Sequence, residues 1–225
     1  MAPKEPHKYV RHSESQRSLI LARAEELFIQ RGVEHVTMSD LAAAAGMTRA
    51  TLYRYYENKE RVLWAIYNQQ IDIFYRTFLP QLESQAGTTY ERLAFYLHLL
   101  LDLYRKDPDS FRFWDVFFQT YQEATTQPGQ KVYRDLHGDG FGTGDVVRLL
   151  TRNFHDGSVK PELDPVPTVV ALIYGTLILL LYLPKCSDSL SIKYGLSGWQ
   201  LLEFHLEALL SSVRADPPEG AAAGA

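Results

Sequence analysis

The chain has 225 residues, 46% of them hydrophobic and 22% charged, with a net charge of −4. That is enough for one or two buried cores and is an ordinary soluble composition, while the negative charge argues against non-specific nucleic-acid binding by the whole molecule. A single cysteine, Cys186, excludes a disulfide within the chain and predicts a reducing, cytoplasmic setting.

In chain order, the polar start "MAPKEPHKYVRHSESQRS" has no apolar segment of a secretory signal. Residues 1–12 are expected to form a basic, flexible arm. Ser13-x-x-Gln16 reads as a capping box that opens a first helix. Its Leu19, Ile20, Ala24, Leu27 and Phe28 fall at helical spacing, and Gly32 stops it. Thr37-x-x-Asp40 opens a short second helix through an alanine run, and Thr48 begins a third. A fourth starts at Asn58, with Leu63, Tyr67, Ile71, Phe74 and Phe78 along one stripe. Thr88-x-x-Glu91 opens a fifth that ends near Asp107, and Pro108 suits the first turn of a sixth, which is rich in aromatics. Residues 126–144 read as a loop or an interrupted helix. Helices at about 145–155, 165–183 and 198–213 follow, and the tail 215–225 is expected to be disordered. No segment sustains period-2 alternation, so the class is all-α.

The stretch "DLAAAAGMTRATLYRYYENKE", residues 40–60, carries the chemistry. Alanine has almost no side chain and is the best helix former, so a short alanine helix lets another helix cross it closely. Gly46 supplies a left-handed turn residue, Met47 plugs the core, and Thr48 caps the next helix. Two helices joined this way make a helix-turn-helix. The third helix then enters the major groove, which admits one α-helix. Leu52 and Tyr56, four residues apart, face inward, and Arg49, Ala50, Tyr53 and Arg54 face outward. Arginine can fork onto guanine O6 and N7, while hydroxyls and Lys59 can bind phosphates. The charge distribution agrees. Residues 1–62 hold ten Lys/Arg and eight Asp/Glu, and the remainder thirteen and nineteen, so a mildly basic head sits on an acidic body.

Residues 16–63, and above all the run "GMTRATLYRYYENKE", resemble the DNA-binding domain of the TetR family of transcriptional regulators. The resemblance implies that Arg49, Ala50, Thr51 and Arg54 lie towards bases. It likewise places Thr37, Ser39, Thr48, Tyr53, Tyr55 and Lys59 towards phosphates. Tyr56 departs from the phenylalanine usual in the family, and its hydroxyl needs a partner or solvent. The domains expected are a three-helix DNA-binding domain over 13–57 and a larger helical effector-binding and dimerisation domain over 58–214.

Other motifs carry less. "GDGFGTGD" (138–145) misses the phosphate-loop spacing and has no lysine after its glycines. "YGLSGW" (194–199) has Trp199 where a nucleophile elbow needs glycine. His137, Asp139, His155 and Asp156 lack tight ligand spacing, so no metal, cofactor or catalytic residue is expected.

Residues 166–183, "VPTVVALIYGTLILLLYL", are uncharged and about 27 Å long as a helix, near the lower limit for a membrane span. Pro167, charged flanks of both signs and the lack of a second such segment favour a buried helix. Together with the broad apolar stripe of 198–213 it predicts a dimer interface, with Leu177, Leu180, Leu181, Trp199, Leu202, Leu206, Leu209 and Val213 as its residues. The resemblance implies the same homodimer through the last two long helices. It also implies a small-molecule pocket near the aromatics of 95–121. The pocket residues expected are Phe74, Phe78, His98, Trp114, Phe118 and Tyr174, suited to a hydrophobic or aromatic effector. The expected function is a DNA-binding regulator, a repressor released from a near-palindromic operator by that effector. An all-α enzyme or carrier and a single-span membrane regulator are the alternatives; turnover of a substrate or insolubility without detergent would single them out.

Overall fold

The structure is a computed structural model and describes residues 6–122 and 143–216. Its helices are α1 (Pro6–Arg31), α2 (Met38–Ala44), α3 (Arg49–Tyr53), α4 (Lys59–Ser84), α5 (Thr89–Lys106), α6 (Pro108–Gln122), α7 (Thr143–Leu150), α8 (Pro165–Tyr194) and α9 (Gly198–Val213). Between Val159 and Arg214 there is an isolated antiparallel bridge, and the described residues form no longer strand. The Gly-rich loop 138–142, His137, Asp139 and the tail beyond 216 lie outside the described residues.

Three helix boundaries differ from those expected. The first helix begins at Pro6, not at residue 13, so most of the expected arm is helical. Pro6 is pre-set for a first turn, and no glycine or proline follows before Gly32. Helix α7 spans Thr143–Leu150 and ends earlier than 155. Helix α8 runs eleven residues past 183, because Pro184 is accommodated inside it and Gly195, at φ 65°, makes the stop.

Contacts divide the chain into two units, with a boundary later than residue 57 and an added segment from α6. The first unit comprises the described residues up to Ile73 together with Arg112–Gln122. Buried in its core are Ile20, Ala24 and Phe28 of α1, Leu41 and Ala42 of α2, Leu52 of α3 and Val62, Leu63 and Ile66 of α4. Ala42 and Ala45 are almost fully buried, as a close helix crossing requires. Aromatic α6 packs on α4: Phe117 stacks on Tyr67 with centroids 4.0 Å apart and meets Trp64 edge-on at 4.8 Å.

The second unit comprises Phe74–Phe111 and residues 143–216. Here α8 packs on α9, α5 on both, and α7 on α8 and α5. Its core joins Leu93, Leu97 and Leu100 of α5, Val169, Ile173 and Leu180 of α8, and Leu202 and Leu206 of α9. A polar clamp fixes the N-terminus of α5. The Asp156 carboxylate accepts from the Thr89 amide at 2.6 Å and from the Ser158 hydroxyl at 2.6 Å, while the Thr89 hydroxyl donates to the Asn153 carbonyl at 2.9 Å.

Candidate nucleic-acid interface

The interface is assembled by caps and one turn. Thr37 and Asp40 form a reciprocal capping box on α2: the Asp40 amide donates to the Thr37 hydroxyl, and the Thr37 amide donates to the Asp40 carboxylate at 2.8 Å. Hydrogen bonds from the Thr37 side chain and backbone hold the Asp40 carboxyl below its ordinary value, so it stays charged. At the other end of α2, the Gly46 amide donates to the Ala43 carbonyl at 3.0 Å and the Met47 amide to that of Ala42 at 2.9 Å. Gly46 sits at φ 66°, where an L side chain is strained. Thr48 caps α3 through the Thr51 amide.

This geometry turns Leu52 fully inward and leaves Arg49, Ala50, Tyr53 and Arg54 exposed. Thr51 is half-buried, and its hydroxyl pairs with that of Thr48 at 2.9 Å. Thr37, Ser39 and Thr48 are exposed, and Tyr55 is half-buried. Lys59 differs in part from expectation: its ammonium donates to the Val33 carbonyl at 2.5 Å, tying α4 to the α1–α2 loop. An ammonium has three donors, so two remain. Tyr56 is buried and finds its partner in Arg17, whose guanidinium lies 5.7 Å from the ring centroids of both Tyr55 and Tyr56. Burial raises the Tyr56 hydroxyl above its ordinary value, and the charge and hydrogen bond of Arg17 oppose this. Arg17 escapes a reading by sequence pattern because it is 38 positions before Tyr55.

The expected pocket residues are spread over both units. Trp114 and Phe118 belong to the first and Phe74, Phe78, His98 and Tyr174 to the second. Trp114 is 6% exposed and counts as core, while Phe118 is 41% exposed. Phe74 and Phe78 are half-buried with ring centroids 4.9 Å apart. His98 is exposed, with Nδ1 2.7 Å from the Ala94 carbonyl. It lines a groove of about 440 Å³ with Asp102, Arg105, Trp199, Glu203 and Glu207. Within that groove Arg105 lies 4.0 Å from the Trp199 ring centroid. Tyr174 is half exposed and influences the deeply buried Tyr96, whose hydroxyl is raised by burial and by the neighbouring Tyr75 and Tyr174. Thr176 is fully buried, and its hydroxyl has no hydrogen-bond partner.

Of the expected dimer residues, Leu180, Leu202, Leu206 and Val213 are at most 4% exposed within one protomer. They lie in the core of the protomer itself. Leu177, Leu181, Trp199 and Leu209 are half-buried. Exposed apolar residues lie elsewhere: Tyr174, Ile178 and Tyr182, four apart on α8, and Phe204 on α9. By length and composition alone α8 is apolar enough to cross a membrane, with mean hydropathy 2.2.

Comparison with known proteins identifies the class. Residues 20–66 match the family described as "Bacterial regulatory proteins, tetR family". An uncharacterised HTH-type transcriptional regulator of Mycobacterium tuberculosis is 32% identical over 155 residues, covering 69% of this chain and 68% of that protein. The chain therefore belongs to the TetR family of transcriptional regulators. Solved structures share the fold. A putative transcriptional regulator from Saccharomonospora viridis, in complex with choline, superposes with TM-score 0.66 at 21% identity over 91% of this chain and all of that one. The regulator FadR from Bacillus subtilis, in complex with stearoyl-CoA, gives 0.63 at 22% identity over 88% and 99%.

Proposed function

We propose that the protein is a cytoplasmic, homodimeric repressor that leaves a near-palindromic operator when a small apolar or aromatic effector binds. One observation carries the DNA reading: Arg49, Ala50, Tyr53 and Arg54 stand exposed on a recognition helix locked by Gly46 and Thr48. Thr51 joins Arg49 and Arg54 at the bases, and Thr37, Ser39, Thr48, Tyr53, Tyr55 and Lys59 grip phosphates. The exposed Tyr174, Ile178 and Tyr182 along α8, and Phe204 on α9, support a second copy packed against these helices. Its half-buried neighbours Leu177, Leu181 and Leu209 extend that surface.

The effector reading rests on the second unit. Phe74 and Phe78 offer an aromatic edge, and Tyr96, Tyr174 and the unpartnered hydroxyl of Thr176 offer polar groups. Two neighbours in the fold bind ligands as unlike as choline and stearoyl-CoA, so the fold does not select the effector's identity.

Selection of bound DNA from a random pool tests the central claim. The expected product is one inverted repeat. Arg49→Ala should cost roughly 1–3 kcal/mol and relax choice at one base pair in each half-site. Unchanged base preference in that variant would remove Arg49 from the groove.

A further inference from the structure

We infer that the groove between α5 and α9 binds a small organic cation, an alkylguanidinium or alkylamine, whose charged head lies on the face of Trp199. The site shares no residue with the effector reading above and does not depend on DNA binding.

Two helical rows build the groove. His98, Asp102 and Arg105 recur at helical spacing on α5, and Trp199, Glu203 and Glu207 do so on α9. Leu101 and Leu206, each 4% exposed, make its apolar lining. Its volume of about 440 Å³ is that of a small-molecule site. Every one of these residues belongs to the second unit. The exposed Phe204 stands about 100° round α9 from Glu203, so the groove is not the face proposed above for a second copy.

Charge is the first observation that selects the ligand. Three carboxylates, those of Asp102, Glu203 and Glu207, stand against the single guanidinium of Arg105. The carboxylates of Asp102 and Glu207 have no partner among the described residues. His98 Nδ1 lies 2.7 Å from the Ala94 carbonyl, which can only accept, so the neutral ring presents Nε2 as a further acceptor. The groove therefore offers acceptors and negative charge to whatever enters it.

The second observation is that a cation is held there, and on the ring. The Arg105 guanidinium lies 4.0 Å from the Trp199 ring centroid and makes no ion pair among the described residues, although three carboxylates line the same groove. The negative face of an indole attracts such a cation. Trp199 Nε1 donates to the Glu203 carboxylate at 2.5 Å. That bond fixes the ring edge, and an anion on the indole N–H pushes electron density into the ring and strengthens its face. Arg105 is exposed, so its side chain can leave the ring for solvent. It occupies the place of the ligand's head, and the incoming cation displaces it. An alkyl body then lies against Leu101 and Leu206, and a second ammonium meets Asp102 or Glu207.

The test is calorimetric titration of the full-length protein, without DNA, at 0.15 M salt. The probes are agmatine, which carries a guanidinium and an ammonium on one alkyl chain, and the neutral n-butylurea. Agmatine should bind once per protomer and n-butylurea should not. Trp199→Leu should weaken agmatine by about two- to thirtyfold, the range of one cation–ring contact. Glu203→Gln with Glu207→Gln, both exposed, should weaken it by about fivefold and less at high salt. Arg105→Gln should strengthen it, because the competitor for the ring is gone. Lys106→Gln, the same change of charge one residue outside the groove, should do far less. Absence of agmatine binding overturns the inference, as does equal binding of n-butylurea. Wild-type affinity in both the Trp199 and the double glutamate variants overturns it too, as do equal gains from Arg105→Gln and Lys106→Gln. Tri-arginine binding more than about a hundredfold tighter than agmatine would reassign the groove to a basic protein segment and overturn the small-molecule site. Circular dichroism checks that each variant is folded, and the double glutamate variant decides if Trp199→Leu is not.

Discussion

Lys59 serves the fold with an ammonium that we also propose to bind phosphate. Its bond to the Val33 carbonyl ties the start of α4 to the loop before α2. A hydrogen bond from a charged donor contributes about 1.5–3 kcal/mol. Lys59→Ala should therefore lower the melting temperature and weaken binding to all DNA sequences alike, whereas a purely phosphate-binding lysine would leave melting unchanged. Asp156 shows the same economy of groups. Burial opposes its charge, but hydrogen bonds from Ser158 and Thr89 outweigh it and pull its pKa from 3.8 to about 2. A depressed carboxyl adds stability above its unfolded pKa and loses it as pH falls through the folded value. The window is about pH 5 down to pH 2. Asp156 is exposed, so screening reduces its share to on the order of 1 kcal/mol. Wild type should lose more stability than Asp156→Asn between pH 6 and pH 3 in denaturant titrations. Parallel curves would mean that the clamp on α5 is not electrostatic.

At the scale of elements, the turn between α2 and α3 and the two faces of α8 make opposite demands. Gly46 has open space where a Cβ would stand, so its glycine is required by φ 66° alone. Gly46→Ala should cost about 1–2 kcal/mol and reduce operator affinity by tilting α3, without affecting assembly. Helix α8 buries Val169, Leu172, Ile173, Thr176, Leu180 and Leu183 on one face and exposes Tyr174, Ile178 and Tyr182 on another. Two charge substitutions two residues apart should thus diverge. Ile178→Glu should give a folded monomer by light scattering, with helical content kept. Leu180→Glu should unfold the protomer, because it places a charge among apolar side chains. A dimeric Ile178→Glu would remove this face from the interface.

For the whole molecule, the proposed release of the operator by an effector requires that the two be linked by one coupling free energy. A tenfold loss of operator affinity requires about 1.4 kcal/mol of preference for the released state, and the coupling is reciprocal. An effector that weakens operator binding tenfold must itself bind tenfold more weakly to the protein–operator complex. Calorimetric titration of effector into free and operator-bound protein measures both sides. Equal affinities would mean that the ligand is bound but does not regulate. Trp114 is unsuited to probing this coupling. It lies in the core of the first unit, and Trp114→Ala should cost about 3–5 kcal/mol. Phe118, 41% exposed, can be truncated at far lower cost.

The recognition helix was legible in the sequence because its determinants are local. Thr37, Asp40, Gly46 and Thr48 act through caps and one φ angle within a few residues, and helical period alone separates Leu52 from Arg49 and Arg54. The all-α class and the capping box at Thr88 are local in the same sense, and so is the broad apolar character of α8. Contacts between distant segments were decided only by tertiary structure. The period of α8 shows that it is apolar all round, but not which side α5 and α9 cover. That Leu180, Leu202, Leu206 and Val213 are buried within one protomer is therefore decided by packing and not by period. The packing of the aromatic run of α6, with Phe117 stacked on Tyr67, is likewise a contact between distant segments. Arg17 reaches Tyr56 and Lys59 reaches Val33 across 39 and 26 residues, where no sequence pattern links donor to acceptor. Spacing encodes what a residue does to its own helix. What it does to another helix depends on how the chain returns, and that is set by the packing of the whole core.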